Sequence, residues 1–122
     1  MATNADSQFR LTFPVGKSDF SVGYGDNILS MGSCFAENVA ERLSQSRLRV
    51  TVNPFGILYN PLSISSALRI LATRQRFMGA NLFYSENLYH SWMHHSRFSR
   101  AEQQECLDAI NSSIEAVDLS EV

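Results

Sequence analysis

The 122-residue chain has little of what builds a disulfide scaffold, a metal centre or a nucleic-acid grip. Its two cysteines, Cys34 and Cys106, are too few for a disulfide framework and lack zinc-ligand spacing, which points to free thiols. One lysine and nine arginines are scattered among twelve acids, and no basic run exceeds one residue. With a net charge of −2 and a pI near 5.9, the chain has no broad electrostatic footprint for nucleic acid. No apolar stretch approaches the length that spans a bilayer, so no membrane role is expected. Residues 1–8 have neither the basic nor the apolar region of a secretory signal. They are expected as a disordered tail, and the cytoplasm is the expected compartment. No G-x-G-x-x-G, P-loop lysine, internal repeat or linker occurs.

What is present is globular: hydrophobic residues at 44% against 18% charged suit one small domain over 9–122, or part of a larger one. Phe9, Leu11 and Phe13 alternate with polar residues, as do Phe20, Val22 and Tyr24, and predict two N-terminal strands. Asn27 to Met31 suits a buried strand and Cys34 to Leu43 a helix, with Phe35, Ala36, Val39, Ala40 and Leu43 as its apolar stripe. Leu48 to Val52 is a further β-branched strand, so 27–52 has the form of a parallel βαβ unit. Asn60-Pro61 caps a helix expected over 61–77, with Ile64, Ala67, Leu68, Leu71 and Ala72 inward and Arg69, Arg74 and Arg76 solvated. Leu82 to Tyr84 and Leu88 to Met93 flank Ser85-Glu86-Asn87 as a hairpin. Ser99 to Glu102 reads as a capping box opening a last helix that buries Leu107, Ile110, Ile114 and Val117.

Ser33 stands where a buried strand turns into a helix. Unpaired N–H groups and the positive end of the helix dipole stabilise an alkoxide, thiolate or oxyanion there. The bland reading is a helix cap, a role serine often fills. Cys34 shares the electrostatic advantage, against the alternative of a small packed hydrophobe. Cys106 reads as packing alone. Asn53-Pro54-Phe55-Gly56 should lie beside the Gly32-Ser33 turn; Gly56 N–H, with Asn53 or Asn60, could donate to an oxyanion. His90, His94 and His95 cluster around Trp92, with His90, Trp92 and His94 on one face if 88–95 is a regular strand. They lack a ligating acid beyond Glu86, so no metal is assigned and half-buried aromatic packing is expected.

The run Gly32-Ser33-Cys34-Phe35-Ala36, with Ile28-Leu-Ser-Met31 before it and Glu37 to Leu43 after it, closely resembles the bacterial GSCFA family. Asn53 to Pro61 and His94 to Ser99 resemble the family as well, and the likeness runs from about Phe9 to the last helix. The resemblance implies a domain similar to the SGNH hydrolases, α/β/α esterases with a flavodoxin-like sheet. In those enzymes a Gly-Asp-Ser turn after the first strand carries the nucleophile, while a glycine after the second strand and an asparagine after the third bind the oxyanion. A late Asp-x-x-His supplies acid and base. Carried over, Gly32 matches the first glycine and Gly56 the second. Register puts Cys34 at the nucleophile position, and hydroxyl chemistry favours Ser33.

No Asp-x-x-His occurs here, and no third parallel strand ends in asparagine. The expected fold is an incomplete doubly wound parallel sheet of flavodoxin-like, SGNH type, with N-terminal strands and an inserted hairpin. On this reading the chain is the N-terminal part of a GSCFA domain, inactive alone because its base is missing. Its substrate would be a small-molecule or glycan ester, with Asn60, His94 and His95 on the substrate side. No cofactor is expected, and an open sheet edge could support self-association. The alternative is a non-catalytic binding or scaffold module, and a thiol enzyme working through Cys34 is a third.

Overall fold

A computed structural model describes residues 9–122. The expected tail over 1–8 lies outside the described residues. The ordered elements are β1 (Asn27–Ser30), α1 (Cys34–Gln45), β2 (Arg49–Val52), α2 (Pro61–Thr73), β3 (Phe83–Ser85), β4 (Leu88–His90) and α3 (Gln103–Glu115). The architecture is mixed α/β with two short sheets. β1 pairs with β2 in parallel, from Asn27 opposite Arg49 to Ser30 opposite Val52, and α1 is the crossover between them. β3 and β4 form an antiparallel hairpin, tied to Arg100 by an isolated bridge from Tyr89. Glu86 and Asn87 both take positive φ at its tip, the geometry that suits the right-handed twist of a two-residue turn.

The core gathers where α2, α3 and the loop after β2 meet. Phe55, Ala67, Ile70, Leu71, Phe77, Cys106, Ile110, Ile114 and Val117 are buried together. Asn111, itself buried, grips the backbone of Phe77 on both sides: its Oδ1 accepts from Phe77 N–H at 2.8 Å and its Nδ2 donates to Phe77 C=O at 3.0 Å. That pairing satisfies both backbone groups of the buried Phe77, which has no sheet neighbour. The arginines off the α2 stripe are solvated, with exposed pairs from Arg74 to Asp118 and Arg76 to Glu115.

Several expected elements differ. The two N-terminal strands do not form. Phe9, Leu11, Phe13, Phe20, Val22 and Tyr24 are exposed, since alternation specifies a face but not a neighbour to complete the ladder. Helix α2 stops at Thr73 rather than 77 because Arg74 enters the left-handed region (φ 50°), and the chain then turns to bury Phe77. Its buried stripe is Ala67, Ile70 and Leu71, while Leu68 and Ala72 face outward. The capping box at Ser99–Glu102 is not used. Ser99 Oγ lies 2.7 Å from His90 Nδ1, the Tyr89–Arg100 bridge keeps this stretch extended, and α3 starts at Gln103 without a side-chain cap. On α3 the buried face is Cys106, Ile110, Asn111 and Ile114, with Leu107 only half-buried. β4 ends at His90 rather than continuing to Met93; Trp92 and Met93 form a turn that lays the half-buried His94 on Phe55.

Candidate functional site

β1 ends, the chain turns through Gly32-Ser33, and α1 begins. Gly32 is buried at φ +149°, and a Cβ there would press on that of Ala36 at 3.2 Å, so the tightness of the turn requires glycine. Ser33 is the N-cap, extended at φ −75° and ψ −174°, and its Oγ accepts from Phe35 N–H at 3.2 Å. The cap reading is therefore realised, and it leaves the hydroxyl at the positive end of the helix. Among the described residues the backbone N–H groups of Ser33 and Cys34 find no acceptor, as the first turn of a helix dictates. Cys34 is exposed as a free thiol at the first helical position.

The loop after β2 comes back to this turn, as the parallel pairing requires. Asn53 N–H donates to Ser30 C=O at 2.8 Å, and Leu58 N–H donates to Gly32 C=O at 3.0 Å. Asn53 is 4% exposed and sits at φ +40°, a conformation asparagine tolerates better than most residues. Its Oδ1 accepts from Gly32 N–H at 2.8 Å, while its Nδ2 donates to Glu37 Oε1 at 3.1 Å. Glu37 Oε1 also takes the guanidinium of Arg97 at 3.0 Å. The Asn53 hydrogen bond, followed by Arg97, holds the Glu37 carboxyl below the usual glutamate value against the opposing effect of desolvation.

Gly56 lies under His95. It sits at φ +82°, and a Cβ there would collide with the His95 side chain. Its N–H, expected as an oxyanion donor, instead closes a turn onto Asn53 C=O at 2.8 Å. His95 N–H donates to Phe55 C=O at 2.9 Å, and its Nδ1 accepts from Arg97 N–H at 3.1 Å. With Nδ1 occupied as an acceptor, the neutral ring carries its proton on Nε2, a donor and not a base. Thus Gly32, Ser33, Asn53, Gly56 and His95 converge at one end of the β1–β2 sheet, joined by Glu37 and Arg97.

Two expected residues stand apart. Asn60 is the exposed N-cap of α2, its Oδ1 accepting from Leu62 N–H at 2.8 Å. His94 is stacked on Phe55 (4.3 Å between centroids) and edge-on to Phe77 and Phe98, with Nδ1 2.9 Å from Ser91 Oγ. Desolvation pushes its pKa down to about 4, so it is a neutral, half-buried histidine packed on the core at pH 7. Its Nε2 is buried without a hydrogen-bond partner among the described residues. His90 packs against Phe83, in keeping with the aromatic role expected of it. Sequence reasoning passed over Glu37 and Arg97. The available signal was the place of Glu37 one turn into α1, behind the nucleophile candidates.

The two thiols differ sharply. Cys106 is wholly buried and burial pushes its thiol pKa up, whereas Cys34 faces solvent. Iodoacetamide at neutral pH is expected to alkylate Cys34 alone in the folded chain, and Cys106 only after denaturation. Peptide mapping of the adducts checks this. A groove of about 410 Å³ lined by Asn27, Leu48 and Arg49 lies at the opposite, amino-terminal end of the two strands and takes no part in the site.

Among the described residues no group of three or more His, Cys, Asp or Glu could hold a metal, and no helix is long and apolar enough to cross a membrane. The model of the GSCFA family matches residues 27–120, the stretch from β1 to the last turn, and the chain belongs to that family. No curated protein and no solved structure matches.

Proposed function

Proceeding from membership of the GSCFA family, we propose that the protein is an ester hydrolase of SGNH-like type with Ser33 as nucleophile. The observation that supports this best is the turn itself. A serine hydroxyl is held at the mouth of a helix, on a strand-to-helix corner tightened by Gly32 and braced by Asn53. In this reading β1–α1–β2 is the first unit of a doubly wound, flavodoxin-like sheet, whose strand carboxyl ends are where such folds bind ligands. Attack by Ser33 Oγ on an ester carbonyl forms a tetrahedral oxyanion, which the N–H groups of Ser33 and Cys34 stabilise together with the helix dipole. Gly56 contributes by letting His95 close over the loop, since its own N–H is engaged.

A serine hydroxyl needs a base to be a strong nucleophile, and no Asp-x-x-His lies in these 122 residues. The base is assigned to residues outside them. The His95 tautomer supports that assignment, because its Nδ1 is already an acceptor for Arg97 N–H. The second reading, a binding module with a hydrolase-like fold, is favoured by the cap bond that occupies the Ser33 hydroxyl.

Hydrolysis of an aryl acetate by the protein as its own cells produce it separates these readings. Ser33→Ala is expected to lower kcat/KM by about 10³-fold or more, with Cys34→Ala close to wild type. Loss in Cys34→Ala with Ser33→Ala intact transfers the role to the thiol. Activity unchanged in both variants, or absent from the wild type, leaves the binding module.

A further inference from the structure

Trp92 is the sole tryptophan and is 82% exposed, yet its indole is not loose. It stacks on Phe83 with centroids 4.1 Å apart and planes at 19°, and Phe83 stacks in turn on His90 at 5.1 Å. His90 is pinned through both ring nitrogens, Nδ1 to Ser99 Oγ and Nε2 to Ser85 C=O. The result is a three-ring pile anchored at its base, with one indole face covered and the rest of the ring open to solvent. An indole fixed in this way has already lost the side-chain entropy that binding would otherwise cost.

The surroundings select what could lie on it. Between Phe77 and Ser96 the chain has no lysine or arginine, and its one formal charge is Glu86. A nucleotide or nucleic acid brings phosphates that need cations, and the two that follow this stretch are engaged: Arg97 pairs with Glu37, and Arg100 donates to the carbonyls of Arg97 and Ser99. An amphipathic helix needs a continuous apolar groove, whereas the hairpin face that carries Phe83 and His90 also carries the hydroxyl of Ser85. A neutral ring with an apolar C–H face and hydroxyls at its edge fits both the flat indole and a hairpin that offers the Ser85 hydroxyl and a single formal charge, Glu86. We infer that Trp92, backed by Phe83, is a stacking platform for a neutral carbohydrate, separate from the Ser33 turn.

Because Trp92 is the sole tryptophan, its fluorescence reads the site directly. Xylohexaose, cellohexaose, mannohexaose and chitohexaose are titrated separately to about 10 mM, enough to fill a millimolar site. At least one is expected to shift the emission to the blue and protect it from iodide quenching. By calorimetry, Trp92→Ala should weaken that sugar by about 10- to 100-fold, the worth of one stacked aromatic ring, with Tm unchanged. Phe83→Leu should weaken it less and lower the fluorescence anisotropy as the indole loses its backing. The proposal is overturned if none of the four sugars moves the emission, or if Trp92→Ala binds as well as wild type. It is also overturned if the emission shifts with protein concentration alone, which would make a second copy the occupant. Binding is read without turnover, so its failure is separable from failure of the esterase reading.

Discussion

Asn53→Ala is expected to lower folding stability by about 2–4 kcal/mol. Two costs combine. The buried Gly32 N–H loses its acceptor at 2.8 Å, and a buried donor left unpaired costs about 1–3 kcal/mol. Alanine must also hold φ near +40°, where an ordinary residue pays about 1–2 kcal/mol and asparagine less. Asn53→Gly removes the side chain without the backbone cost, so the difference between the two variants isolates the strain. Asn53→Asp keeps the acceptor but sets a carboxylate against Glu37 Oε1, where Nδ2 now donates. It should be destabilised at neutral pH and partly recover in acid. Glu37→Gln and Arg97→Ala should each destabilise far less than Asn53→Ala, because the Glu37–Arg97 pair is partly solvated. Denaturant titration measures the stabilities, and amide exchange at Gly32 shows whether the turn itself has opened.

Acid should unfold the protein through His94. Its folded pKa is about 4 against 6.5 for the free side chain, so above pH 6.5 the ring is neutral in both states and costs nothing. As pH falls from 6.5 to 4 the unfolded chain takes up a proton that the folded core refuses. Stability drops across that window by about 3 kcal/mol, and the loss levels off below it. Glu37 and Asp118, both held below their ordinary values, begin to cost stability only as pH falls through the carboxylate range. His94→Phe keeps the aromatic contacts with Phe55, Phe77 and Phe98 and removes both the titration and the unpartnered Nε2. It should flatten the stability profile between pH 6.5 and 4.5. A profile as steep in His94→Phe as in wild type would assign the acid sensitivity elsewhere.

The parts of the fold legible in the sequence were those decided locally. The β1–α1–β2 unit could be read from a buried run, a glycine-serine break, a helical stripe and a β-branched run. The hairpin followed from Ser85-Glu86-Asn87 between the apolar runs Leu82 to Tyr84 and Leu88 to Met93, although Ser85 itself belongs to β3. The stripe of α1 was read correctly as a pattern, yet Phe35 and Val39 remain exposed and only Ala40 is buried, because periodicity does not say which neighbour covers a face. The N-terminal alternation met the same limit. Ser99-x-x-Glu102 failed for a tertiary reason, since His90 competes for the serine hydroxyl from nine residues away.

At the site, the turn and its neighbouring loop were foreseen from the parallel pairing, and the Gly32–Asn53 contact follows from it. The Glu37–Arg97 link was not. Its partners are 60 residues apart and meet only because Gly56 lets the His95 loop descend onto the turn. His94 and His95 looked equivalent as neighbours in sequence. One residue of offset sends the first onto an aromatic core and the second over the loop.

The central claim is that the strand-to-helix turn presents Ser33 as a nucleophile. Its most direct test is a fluorophosphonate probe added to the protein as its own cells make it, with the adduct located by tandem mass spectrometry. The account predicts one phosphonyl group on Ser33, lost in Ser33→Ala and kept in Cys34→Ala. A protein that stays unlabelled, or carries its adduct away from residues 33 and 34, would contradict it.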